Sequence, residues 1–113
     1  MAMKKYIIIY KAPMTAAEQM AGSGPEEGQK GMELWMEWAK KCGNALVDLG
    51  TPLGNSQIVT PTMTLPGDEK IIGYSILQAE RMADAEALIK DHPHLKWNAS
   101  CTIEIHEALP LPQ

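Results

Sequence analysis

All three histidines of the chain fall in "KDHPHLKWNASCTIEIH", residues 90–106, as His92, His94 and His106. Imidazole changes charge near neutral pH, so a histidine beside an orienting carboxylate is suited to general acid or base chemistry. Asp91 directly precedes His92, and Glu104 stands two residues before His106, on the same side of any strand that carries both. His94 and His106 are therefore the candidate acid/base residues. His92 precedes Pro93, which bars it from helical backbone, and it reads as a bystander at a helix end. An extended His92-Pro93-His94 piece would point two imidazoles one way and, with His106 and a carboxylate, offer ligands to a metal. The pair lacks a third ligand at a diagnostic spacing, so no metal site and no cofactor are assigned. Tyr10, Tyr74, Trp97 and Glu104 are candidate substrate-binding residues. A phenol on an interior strand needs a hydrogen-bond partner, and an indole after the histidine loop can floor an aromatic cleft.

These residues sit in a chain of 113 residues and 12.4 kDa, the size of one domain spanning 1–113. So short a chain buries only part of its surface alone, and association with a second copy would improve the ratio. The net charge of −4, with lysines and arginines scattered, offers no basic stripe and argues against nucleic acid as a partner. The apolar run from Tyr6 to Tyr10 is too short for a signal peptide or a membrane span. Cys42 and Cys101 are far apart and without metal-clip neighbours, which suits core thiols in a reducing cytoplasm. "GSGPEEGQKG" has glycines without the Lys-Ser/Thr of a phosphate loop, and no serine-histidine-aspartate order is present.

The elements follow from periodicity. "KYIIIYK", residues 5–11, is apolar on both faces and predicts an interior strand. Residues 14–31 read as a long loop or lid, with a Thr15–Glu18 capping pattern for at most a short turn. From about Glu26 the period changes, and Met32, Trp35, Met36, Ala39, Cys42, Leu46 and Leu49 form a helical stripe that Gly50 would stop. "QIVTPTMTL" predicts an edge strand interrupted by Pro61, joined through "PGDEK" to a second interior strand, "IIGYSILQA". "ERMADAEALIKDHP" predicts a second helix, and "CTIEIHE" alternates as a half-polar strand. The order β-α-β-β-α-β, with its two doubly apolar strands first and third, predicts a ferredoxin-like α+β domain with a four-stranded antiparallel sheet. Helices on one side leave the other sheet face bare and apolar, so two copies would close a dimeric α+β barrel.

"GYSILQAERMADAEALIKDHPHL" followed by "CTIEIHE" resembles the C-terminal half of YCII-related proteins, which are dimeric α+β barrels. The resemblance is strongest over residues 73–107 and includes the proline-containing "HPHL" loop after the second helix. It implies a small cytoplasmic homodimer. Some relatives in that family are similar to dehydrochlorinases of chlorinated hydroquinones. The founding type has a histidine just after its first strand paired with an aspartate, whereas residues 1–90 here hold no histidine. The Asp-Gly-Pro-Phe motif of one branch is also absent, with "LPGDEK" in its place.

Two functions are expected from these readings. One is a small lyase or isomerase acting on a small organic compound in a pocket between sheet and helices, with His94 or His106 as acid/base. The other is a non-catalytic dimeric module that holds a small molecule without chemistry. The fold alone does not separate them, because such scaffolds host many functions.

Overall fold

The computed structural model describes residues 2–22 and 24–112. It is a mixed α+β arrangement built on a four-stranded antiparallel sheet, compatible with a ferredoxin-like fold. β1 (Lys4–Lys11) and β5 (Ile71–Ala79) lie at the centre of the sheet, where strands apolar on both faces belong. β6 (Thr102–Glu107) flanks β1 at one edge, and β2 (Leu46–Asp48) flanks β5 at the other.

That second edge corrects the sequence expectation. Residues 57–65 are not the edge strand of the main sheet. They turn back on themselves at Pro61 into a separate two-stranded hairpin, β3 (Gln57–Val59) paired with β4 (Thr64–Pro66). Thr60 accepts backbone N–H bonds from Thr62 and Met63, so its side chain builds the turn that Pro61 initiates.

The first long helix ends earlier than expected. α2 (Pro25–Cys42) begins within a residue of the expected Glu26, with Pro25 in its first turn, where a missing N–H costs nothing. It ends at Gly43, not Gly50. Gly43 takes φ 54° and donates its N–H to Ala39 O, a conformation that side chains disfavour. A 3-10 turn (Gly43–Ala45) then feeds Leu46 into the sheet opposite Leu77. Leu46 and Leu49 keep the helical spacing only by coincidence. Thr15 does begin a helix, α1 (Ala16–Ala21), accepting the Glu18 N–H at 3.0 Å and donating to the Glu18 carboxylate.

α3 (Met82–Ile89) and the short α4 (Pro93–Trp97) complete the helical layer. Tyr6, Ile8 and Tyr10 of β1 and Leu77 of β5 join Trp38, Ala85 and Ile89 in one core on this side of the sheet. Trp38 Nε1 donates to Leu88 O at 2.8 Å, tying α2 to α3. The other sheet face carries Ile7, Ile9, Tyr74 and Ile76, all half-buried, and among the described residues no helix packs over them. No helix among the described residues is long and apolar enough to cross a membrane.

Candidate functional site

The sheet separates the candidate residues into two groups. Register settles the sides: Tyr10 pairs with Ile103 and Gly73, whereas Ile9 pairs with Glu104 and Tyr74, and Ile7 with His106 and Ile76. Tyr10 faces the helices, together with His92 and His94. Tyr74, Glu104 and His106 face the open side. The three histidines therefore do not converge, and among the described residues no group of three or more His, Cys, Asp or Glu is placed to hold a metal.

On the helix side the candidate residues are packed into the core. His92, the expected bystander, is completely buried and lies among Tyr10, Trp35 and Trp38, with ring centroids 4.9, 4.4 and 4.3 Å away. The expected extended piece ends at His92 itself, because Pro93 and His94 open α4. His92 caps that helix, its Nδ1 accepting the His94 N–H at 3.0 Å. With Nδ1 an acceptor, the ring hydrogen sits on Nε2, which has no hydrogen-bond acceptor among the described residues and lies amid aromatic rings. Burial, then the neighbouring His94, lowers the His92 pKa to about 3, so the ring stays neutral at physiological pH. His94 is buried too, and its Nε2 donates to Lys11 O at 2.9 Å. Burial holds its pKa below 6.5 against the opposing pull of backbone bonds to Lys11 and Thr102. Its N–H is thus committed to a carbonyl, and the residue is only 3% exposed. Tyr10 is likewise closed off: Ser75 Oγ donates to Leu49 O at 2.5 Å, so Tyr10 must donate to Ser75 at 2.8 Å. Burial raises the Tyr10 pKa further.

The open face is different in kind. Tyr74, Ile9 and Glu104 lie in one row across β5, β1 and β6, and Ile76, Ile7 and His106 lie in the next. With strands about 4.8 Å apart, roughly 10 Å separates the β5 and β6 backbones across this isoleucine floor. One wall is Tyr74, whose hydroxyl donates to Asp48 Oδ2 at 3.3 Å. The other is a polar chain: His106 Nε2 meets Glu104 Oε1 at 3.0 Å, and Lys11 Nζ meets Glu104 Oε2 at 3.2 Å. Hydrogen bonds from His106 and then Lys11 hold the Glu104 carboxyl below the usual carboxylate range, so it is ionised and only accepts. Nε2 of His106 is therefore the donor in this bond. Beyond Lys11 the face runs into a cleft of about 380 Å³ lined by Lys11, Ala12, Pro13, Lys70, Ser100 and Thr102.

Of the expected site residues, the structure brings Glu104 and His106 together and sets Tyr74 across the floor from them. It removes His94 and Tyr10 into the core, and leaves Trp97 exposed at the end of α4 with no ring contact among the described residues. Asp48, Lys11 and Ser75 were missed. Alternation from Ile7 and Ile9 could have signalled Lys11, but Asp48 was hidden inside a helix drawn too long. Both cysteines are buried and unpaired, and burial raises the Cys42 thiol to about 11. No known protein family's sequence profile matches this chain, and no curated protein sequence matches it significantly.

Proposed function

We propose that the protein is a homodimeric α+β-barrel protein of the YCII-related class. In this reading its open sheet face, enclosed by a second copy, holds a small organic molecule, with His106 as acid/base. The observation that carries this is the His106–Glu104 pair at 3.0 Å, standing over an apolar floor with Tyr74 at the far side. The carboxylate fixes the ring, leaves Nδ1 free to take a proton, and stabilises the imidazolium that forms. A ring-sized compound lying on Ile7 and Ile9 would meet His106 at one end and the Tyr74 hydroxyl at the other. That arrangement suits proton abstraction and return, the chemistry of a lyase or isomerase.

Dimerisation is supported by surface area. The chain exposes 8057 Å², against about 6,100 Å² for a folded monomer of this mass. Its radius of gyration of 15.5 Å likewise exceeds the roughly 13 Å of a compact chain this long. A second reading, binding without chemistry, is favoured by the removal of His94, which leaves a single imidazole on this face.

Thermal-shift screening of small phenols and keto acids tests the site. A compound that stabilises the wild type is expected to bind at least tenfold more weakly to His106→Ala and Glu104→Gln. Both residues are exposed, so the unliganded variants should stay within about 0.5 kcal/mol of wild type. Unchanged binding in both variants would remove His106 and Glu104 from the site. Loss of binding without any turnover by the wild type would select the non-catalytic reading.

A further inference from the structure

Between Asp48 and Asp68 the sequence holds no ionisable side chain, in a chain that is 21% charged. Such a stretch is poorly suited to permanent exposure, yet the hairpin within it is uncovered. Among the described residues β3 and β4 pair only with each other, and a lone two-stranded sheet is at best marginally stable in water. The hairpin is nevertheless well formed. Thr60 N–H donates to Met63 O at 2.8 Å across the turn, and Gly67 N–H donates to Ser56 O at 2.9 Å at the base. Ile58, Val59, Met63 and Leu65 are 48, 75, 54 and 43% exposed. An ordered, uncharged, apolar arm calls for a protein surface to lie on.

Three observations select a second copy of this chain. The first is area: the excess of about 1,900 Å² over a monomer's surface exceeds the roughly 800 Å² that each partner buries in a stable interface. The second is chemical match. The isoleucine floor of the open face, Ile7, Ile9 and Ile76, is uncharged like the arm, with Lys11, Glu104 and His106 at its edge, whereas the groove along α2 mixes Met32 and Met36 with Glu33, Glu37 and Lys40. The third is placement. The segment leading to the arm is held to β5 by the Leu53 N–H to Ile72 O bond, and the first residue of β5, Ile71, is in register with Lys11. The arm therefore leaves from the end of the sheet where the Lys11 cleft opens. Two-fold symmetry would cover both arms and both faces at once.

We propose that residues 57–66 are an exchanged arm: in the dimer each hairpin lies across the partner's open sheet face and closes the partner's ligand site. This rests on the dimeric reading above and adds that each site is completed by the other protomer. The partner copies of Ile58 or Val59 would then form the roof over Ile7 and Ile9, excluding water from His106 and selecting for flat, apolar ligands.

The test uses the full chain in sedimentation and cross-linking. The wild type is expected to sediment as a dimer at micromolar concentration. Ile58→Asp combined with Leu65→Asp should weaken the dimer at least a hundredfold while leaving the far-ultraviolet circular dichroism unchanged, and Val59→Glu is the milder second variant. Photo-cross-linking from p-benzoylphenylalanine in place of Met63 should yield a covalent dimer joined to peptides of β1, β5 or β6. Persistence of the dimer in both charged variants, or cross-links that join arm to arm or arm to α2, would overturn the exchanged arm and leave the dimer standing. A monomeric wild type would overturn both.

Discussion

Gly50→Ala is expected to cost about 4 kcal/mol or more, a large part of the 5–15 kcal/mol that holds a typical domain together. Gly50 has φ 82°, and a Cβ built on it would overlap the backbone carbonyl oxygen of Tyr74 and come within 2.6 Å of its carbonyl carbon. Neither atom can move without breaking β5, so relaxation offers little relief. The position also supports the site: the Gly50 N–H donates to Asp48 Oδ1 at 2.9 Å, while Asp48 Oδ2 receives the Tyr74 hydroxyl. Gly28→Ala is the control, since nothing lies within 4 Å of a Cβ there and alanine favours the helix. Thermal unfolding should show the first variant severely destabilised or unfolded and the second unchanged or raised. A loss below about 1 kcal/mol in Gly50→Ala would mean that this turn is built differently.

The second large effect concerns His92. His92→Ala removes a buried ring packed by Trp35, Trp38 and Tyr10 and the cap of α4, and is expected to cost about 3 kcal/mol. For a chain of this size that is a fall of roughly 12 °C in Tm. The same burial makes stability depend on pH. His92 titrates at about 3 in the folded chain against its ordinary 6.5, so between those values the unfolded chain takes up a proton that the folded one refuses. Stability is therefore full above about pH 6.5 and falls as the pH drops, by on the order of 2–3 kcal/mol at pH 4.5. His94, lowered in the same direction, adds to the loss. Denaturant unfolding at a series of pH values should show this slope in the wild type and a shallower one in His92→Ala. Equal slopes would mean that His92 is charged or exposed in the native state.

How much of this was readable in advance depends on whether local pattern or tertiary context decides each element. The central strands were legible because Tyr6 to Tyr10 and Ile71 to Ala79 are apolar on both faces, which few other structures tolerate. The edge strand was not. Leu46 continues a helical spacing from Cys42, and only the backbone at Gly43 breaks the helix before it. That single misplacement hid Asp48 and promoted the charge-free hairpin into the sheet. At the site, Glu104 and His106 were paired correctly because alternation along one strand is a local rule. His92 was misjudged because its burial comes from Trp35 and Trp38, more than fifty residues earlier, a contact that no local pattern reveals. The burial of His94 was hidden for the same reason, since the Lys11 carbonyl that engages it lies across the fold.

The central claim is that the open sheet face, not the helix side, receives the ligand. Its most direct test is backbone amide chemical-shift mapping while the wild-type protein is titrated with the most stabilising compound from the thermal screen. The expected result is a saturable set of perturbations centred on Ile7, Ile9, Tyr74, Glu104 and His106. Perturbations confined to Trp35, Trp38, His92 and His94, or to the outer surface of α2, would contradict it.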